Sequence, residues 1–229
     1  MTHILKEEKY PSGSLKSRET ELHGPPGQQV ILKESWYLPK VNPLNPWQAT
    51  DNAQLLYGQQ EYKLNFVNEQ EHGVHESWHE NGQQAYEWNY VNGKKHGVQE
   101  AWYENGQQDS RLNYANGQKH GIQESWFNNG QQDYKWNFVN GQFHGLQEGW
   151  YWNGRQVYKE NYVNGQKHGV QESWYDDGQQ QDKKYYLDGA EVSRQAYQSY
   201  VEGLASEIQA AADFEERGLS GIIAGYLLP

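Results

Sequence analysis

Aromatic and polar residues alternate along several segments of the chain. Tyr86, Trp88 and Tyr90 are separated by the polar residues Glu87 and Asn89. Two further triplets repeat this alternation: Tyr134, Trp136 and Phe138, and Tyr62, Leu64 and Phe66. A period of two residues is typical of a half-buried strand. The pattern therefore predicts β-strands that have one aromatic face and one solvated face.

Turn signals separate these strands from one another. The run from Gly97 to Tyr103 is followed by Asn105-Gly106, and the next run ends at Asn116-Gly117. Asn-Gly between two β-prone runs is the strongest local hairpin signal, because both residues adopt positive φ at low cost. Each such unit is predicted to be a β-hairpin that is joined to the next hairpin by a second short turn.

The units recur with a strict period of 24 residues. Histidine, glutamate and tryptophan each form a registered column of five positions: His72, His96, His120, His144 and His168; Glu76, Glu100, Glu124, Glu148 and Glu172; and Trp78, Trp102, Trp126, Trp150 and Trp174. A fixed period of this size indicates a repeat array whose units bury their apolar faces against neighbours. We predict a mainly β fold: an elongated, single-layer antiparallel sheet of stacked 24-residue hairpins.

The flanking segments divide the chain. Residues 1–30 are expected to form an irregular N-terminal segment or cap, and residues 31–189 the repeat array. A Pro-rich loop is predicted to be inserted at 38–57, because proline cannot donate to a strand ladder. Residues 190–229 are predicted to form a C-terminal helical cap, in which Ser193 is the N-cap.

The composition limits which kinds of partner and which cellular compartment are expected. The chain has no cysteine, which excludes disulfides, thiolate nucleophiles and Cys-ligated zinc. A formal net charge of −11 works against binding nucleic-acid phosphates or anionic membranes and favours a basic or neutral protein partner. No segment resembles a signal peptide or a transmembrane helix, so we expect an intracellular or virion location.

The motif that recurs in each unit resembles a known repeat. Asn-Gly-Gln-Lys-His-Gly, followed by Glu, Trp-Tyr, then Asn-Gly or Asp-Gly and an aromatic residue, is similar to the MORN repeat. The closest likeness is to the variant of about 24 residues found in antitoxin-like bacterial proteins and in large DNA viruses of amoebae such as marseilleviruses. This resemblance implies a long, twisted, grooved β-ribbon and a role as scaffold, spacer or interaction module.

The repetition also bears on catalysis and metal binding. Lys167, His168, Glu172 and Ser173 are residue types that catalytic sites use, but a catalytic group is normally built once, and here the serine is Ala101 in another copy. Successive histidines on alternate strands lie about 10 Å apart, too far to share a zinc ion. We therefore predict no catalytic residues, no metal ligands and no cofactor.

Two columns and the tail are candidate binding surfaces. The glutamates either form an acidic binding stripe or pair locally with lysine or tyrosine, and local pairing is preferred. The tryptophans are expected to be mostly core, although an exposed aromatic groove would suit a protein or a glycan. Four apolar residues at helical spacing form a candidate docking or dimerisation helix: Tyr197, Val201, Leu204 and Ile208.

These features predict a non-enzymatic protein-interaction scaffold or spacer, and by resemblance a virion component or assembly factor of a large DNA virus. Two alternatives stay open: an antitoxin-like neutraliser of a basic protein, and a carbohydrate-binding module that uses an aromatic groove. Self-association through the C-terminal helices or the sheet edges is a further possibility.

Overall fold

Over the residues that the structure describes, the chain forms one long, open, antiparallel sheet followed by one helix. A computed structural model describes residues 3–10, 15–22, 24–26, 28–37 and 60–216. The predicted insertion at 38–57 and the last part of the predicted C-terminal helical segment, 217–229, lie outside these residues. The elements are β1 (His3–Lys9), β2 (Leu15–Leu22), β3 (Val30–Trp36), β4 (Gln60–Val67), β5 (Gln70–Glu71), β6 (Gly73–Trp78), β7 (Gln84–Val91), β8 (Lys94–Trp102), β9 (Gln108–Ala115), β10 (Gln118–Lys119), β11 (Gly121–Trp126), β12 (Gln132–Val139), β13 (Gln142–Phe143), β14 (Gly145–Trp150), β15 (Gln156–Val163), β16 (Gln166–Trp174), β17 (Gln180–Leu187), β18 (Ala190–Val192) and α1 (Arg194–Glu216).

The strands pair in chain order as a continuous meander. β1 pairs with β2, β2 with β3 and β3 with β4, and the same succession continues to β17 and β18. The short strands β5, β10 and β13 open the strands that follow them, and each is separated from its successor by one histidine. The predicted antiparallel sheet of repeated hairpins is therefore confirmed.

The two turns of each unit use different backbone geometries. In the turn between hairpins, Asn116 and Gly117 both have positive φ, at 51° and 84°. In the turn within a hairpin, Gly106 has a φ of 81°, whereas Asn105 is not among the residues with positive φ. The Asn105 side-chain oxygen instead accepts the backbone N–H of Gln107 at 3.0 Å. The expectation that both residues of each Asn-Gly pair adopt positive φ is wrong for this turn, because its asparagine acts through its side chain.

The sheet has two unlike faces, which we call the aromatic face and the charged face. In the β11–β12 hairpin, Tyr134, Trp136 and Phe138 lie on the aromatic face with Gln123, which is fully buried. On the other face Glu124 lies opposite Lys135 and remains partly solvated. The core is therefore thin and lies on the aromatic face.

The N-terminal segment is more regular than the sequence suggested. Within 1–30, β1 and β2 form strands, and β2 pairs with β3 from Ser17↔Ser35 to Leu22↔Val30. Leu15 is buried, and the Tyr10 hydroxyl donates to the Trp36 carbonyl at 2.9 Å. β3 presents a row of backbone donors and acceptors at its edge, and β2 pairs with them.

The C-terminal end of the sheet leads into the helix. Ser193 Oγ accepts the backbone N–H of Ala196 at 3.1 Å, which confirms the predicted N-cap. Tyr197 packs against Tyr185 with ring centroids 5.3 Å apart, and Tyr200 lies against His168 at 5.9 Å. No helix in the described part of the chain is long and apolar enough to cross a membrane.

Candidate protein-interaction surfaces

The glutamate column lies on the charged face, where each carboxylate has a cationic neighbour on an adjacent strand. The N···O distances are 3.6 Å for Glu76–Lys63, 3.7 Å for Glu100–Arg111, 3.5 Å for Glu124–Lys135, 3.5 Å for Glu148–Lys159 and 2.9 Å for Glu172–Lys183. Glutamine amides add hydrogen bonds, for example Gln108 to Glu100 at 3.0 Å and Gln156 to Glu148 at 3.1 Å. The column is thus paired locally, and its role as a binding stripe stays a prediction.

These pairs belong to a longer row, which we call the charge ladder. The strand register places one charged residue of each full-length strand in this row, and the sign alternates along most of it. In spatial order the row is Glu7, Arg18, Glu34, Lys63, Glu76, Glu87, Glu100, Arg111, Glu124, Lys135, Glu148, Lys159, Glu172 and Lys183. The alternation fails at Glu87, which lies opposite Glu76 on one side and Glu100 on the other.

The histidines of the column accept hydrogen bonds from the backbone of the turns. The Nδ1 atom of His96 accepts the backbone N–H of Asn116, 20 residues further on, at 3.4 Å. His72, His120 and His144 make the same contact with Asn92, Asn140 and Asn164 at 3.4, 3.4 and 3.5 Å. Each of these four histidines therefore bonds to the asparagine that opens the next turn. Among the described residues no group of three or more His, Asp or Glu is placed to hold a metal ion.

A glutamine column, which the sequence reasoning missed, occupies the core. Gln123 is fully buried: its Oε1 accepts the backbone N–H of Asn113 at 3.1 Å, and its Nε2 donates to the Asn113 carbonyl at 2.8 Å. The amide oxygen of Gln123 thus supplies the acceptor that the backbone lacks at the break between β10 and β11, where Gly121 has a φ of 74°. The amide N–H adds to the His120 N–H, which also donates to the Asn113 carbonyl. Equivalent glutamines are Gln99, Gln147 and Gln171. The signal that could have found them is their register at the 24-residue period.

The tryptophan column lies at the ends of the first strands of the hairpins. Each of its five members is half-buried. The apolar side chains that are buried among the described residues are Leu15, Ile31, Trp36, Tyr90 and Phe138. The column lies where a bulge follows the serine or its equivalent.

The aromatic face carries stacked rings and partly desolvated polar groups. Tyr134 stacks on Trp136 with centroids 3.8 Å apart, and the Trp136 indole N–H donates to the Tyr158 hydroxyl at 2.7 Å. Lys95 lies over Trp88 at 4.1 Å, and burial there lowers the pKa of its ammonium group. Burial raises the pKa of Tyr90 to about 12. The rings and hydroxyls of this face are mostly engaged with one another.

The candidate docking helix presents most of its apolar stripe to solvent. Tyr197 contacts Tyr185, but Val201, Leu204 and Ile208 are 43%, 40% and 65% exposed. Tyr200 is 39% exposed at the edge of the contact with His168. These are large apolar side chains on one helix that its own sheet leaves uncovered.

The residue types that suggested catalysis are distributed over the two faces and the turns, where they serve repeated structural contacts. In comparisons with known proteins, no family model matches this chain, and no curated protein matches it.

Proposed function

We propose that the protein is a non-enzymatic MORN-type scaffold or spacer that binds a protein partner, and that it serves as a virion component or assembly factor of a large DNA virus. One observation carries the functional part of this proposal. The recurring histidine, glutamate and glutamine make the same structural contacts from unit to unit. Repeated contacts of this kind are what a repeat scaffold needs, whereas a catalytic centre is normally built once.

Contacts between successive units support the spacer role. The Tyr103 hydroxyl donates to the Trp126 carbonyl at 2.8 Å, and Tyr151 donates to Trp174 at 3.0 Å. Asn105 likewise donates to the Asn128 carbonyl at 2.9 Å. Each unit is therefore tied to its neighbour by side chains as well as by the strand ladder. Such an array resists bending between units and holds its ends at a fixed separation.

Affinity capture from the source cells tests the proposal. The bait is the full chain, and the matched bait ends at Val192, which keeps β18 paired with β17 and removes α1. A stoichiometric protein retained by both baits supports recognition by the sheet or the 38–57 segment. A protein retained only by the full chain supports recognition by the helix. If neither bait retains a stoichiometric protein other than the chain itself, the scaffold proposal fails.

The antitoxin-like neutraliser is the second candidate, and the formal net charge of −11 favours it. An acidic protein binds a basic toxin with an affinity that falls as salt rises, because the contacts are screened. The test is expression of the genes that neighbour the coding sequence, with and without this protein. Growth arrest that this protein relieves would support neutralisation, whereas no arrest would reject it.

A further inference from the structure

The apolar residues of α1 follow the spacing of a coiled-coil seam. Tyr197, Val201, Leu204 and Ile208 are separated by four, three and four residues. Alternation of three and four is the heptad pattern, in which these positions are d, a, d and a. Tyr200, at the g position beside the seam, lies against His168 of the sheet. The alternating positions themselves match the seam by which one helix packs on another.

The protein's own sheet contacts the first seam residue, Tyr197, and leaves the other three seam residues exposed. The helix has 23 residues, roughly 34 Å at 1.5 Å per residue, and its ring contacts with the sheet involve Tyr197 and Tyr200 in its first two turns. Beyond them Val201, Leu204 and Ile208 are 43%, 40% and 65% exposed. Isolated helices are marginal in water and gain most of their stability from packing an apolar face.

The residue types in the seam specify the occupant. β-branched residues at a with leucine at d favour a parallel two-stranded coiled coil, and here Val201 and Ile208 occupy a while Leu204 occupies d. The flanking charge also permits self-association. The g position Glu207 faces the e′ position of a parallel partner, which is Ala212, so no like charges meet across this part of the seam.

We propose that α1 pairs with α1 of a second copy of this chain in a parallel, in-register coiled coil. The proposal goes beyond the scaffold function: it makes the protein a two-armed molecule in which two sheets extend from a common helical stem. Two arms carry two copies of any surface on the sheet, so a partner with repeated sites binds more tightly than one sheet alone allows.

Sedimentation of the full chain over a range of concentrations tests self-association. A short seam gives a weak dimer. We therefore expect the mass to approach that of two chains only as the concentration rises. Leu204→Asp places a carboxylate at a d position and is expected to hold the mass at one chain. Ser206→Asp, at the outward f position, is the matched control and should leave the dimer intact. A single-chain mass at every concentration, or a dimer that survives Leu204→Asp, overturns the proposal.

Cysteine scanning tests the orientation, because the chain contains no cysteine of its own. In a parallel pair, Ile208→Cys brings two thiols to the same layer of the seam, within the Cα separation of about 7 Å that a disulfide tolerates. In an antiparallel pair the same thiols lie at opposite ends of the seam. We expect oxidation to link Ile208→Cys chains and leave Ser206→Cys chains unlinked. Equal linking of both variants, or linking of neither, contradicts the parallel arrangement.

Discussion

At the scale of single residues, each position of the unit makes the same contact in successive copies. The glutamate of the charge ladder meets a cation on a neighbouring strand, as Glu124 meets Lys135 at 3.5 Å. The glutamine of the core bonds to the backbone of an asparagine ten residues earlier, as Gln147 bonds to Asn137. An exception is therefore visible as a departure from the column, and Glu87 is the exception in the ladder.

Replacing this exception should stabilise the sheet. Glu87 lies opposite Glu76 and Glu100, so Glu87→Lys turns two like-charged cross-strand pairs into two opposite-charged pairs. Opposite-charge pairs contribute roughly 0.2–1 kcal/mol each, so with two pairs changed the free energy of unfolding in urea should rise by about 0.4–2 kcal/mol. The gain should shrink in high salt.

The reverse change supplies the control for the charge ladder. Lys135→Glu places like charges opposite Glu124 and Glu148 and should lower the free energy of unfolding by a similar amount. Equal stability of the two variants would show that the alternation of sign contributes nothing to the fold.

A core glutamine should matter more than a ladder charge. Gln123→Leu keeps the approximate size of the side chain but leaves the Asn113 N–H without its acceptor, while the Asn113 C=O keeps its bond from the His120 N–H. An unsatisfied buried polar group costs about 1–3 kcal/mol, and thermal unfolding should register the loss. The exposed Gln118 gives a matched control, since Gln118→Leu should change stability by less than about 0.5 kcal/mol. Similar losses at both positions would refute the role of Gln123 as the acceptor for the Asn113 N–H.

At the scale of elements, the hairpins were predictable and the terminal strands were not. Asn-Gly and Asp-Gly pairs are local signals that mark each hairpin turn from β6 onward, and alternating aromatics mark strands such as β7 and β12. β1, by contrast, reads His-Ile-Leu-Lys-Glu-Glu-Lys, which has no period of two. It is a strand because its backbone hydrogen-bonds to β2. Such pairing is a non-local interaction, which the local sequence pattern does not reveal. The buried glutamines were not predicted for a related reason: their hydrogen-bond partners are backbone groups of the neighbouring strand.

The turn between hairpins gives a prediction at this scale. Asn140 has a φ of 50°, a conformation that asparagine tolerates and alanine does not. Asn140→Ala should lower the free energy of unfolding by about 1 kcal/mol, whereas Asn140→Gly should have little effect. Asn128→Ala is the control, because Asn128 is an exposed turn residue that is not among those with positive φ. Chemical denaturation of the three variants measures the difference. An equal effect at Asn128 and Asn140 would contradict the backbone explanation.

At the scale of the whole molecule, the sheet is a one-dimensional stack in which each unit contacts its neighbours. The bonds that join units repeat at 20 to 23 residues, as at His96–Asn116 and Tyr103–Trp126. Stability in such a stack is close to a sum over units and their interfaces. The sequence period predicted this organisation. The exposed seam of α1 could be anticipated only as a pattern, because exposure depends on where the sheet ends.

Removal of one whole unit should shorten the molecule without unfolding it. Deletion of residues 97–120 joins His96 to Gly121 and leaves every later residue in its column. Two strands at about 4.8 Å each disappear, so the maximum dimension from X-ray scattering should fall by up to about 10 Å.

Deletion of a half unit provides the comparison. A 12-residue deletion from Gly97 removes the first strand of the hairpin and breaks the register, and cooperative unfolding should be lost or strongly weakened. If both deletions preserve the fold equally, the 24-residue unit is not the folding module.

The junction between β3 and β4 has a consequence for the order in which the chain folds. Trp36 pairs with Gln60 across 24 residues of sequence, whereas Trp102 pairs with Gln108 across six. Closing the longer loop costs roughly 1 kcal/mol more in chain entropy. The strands on either side pair with near neighbours and can close early. We therefore expect two blocks, β1–β3 and β4–β18, to fold separately and to pair with each other last. The backbone amides of the β3–β4 ladder should then be the first to exchange with deuterium.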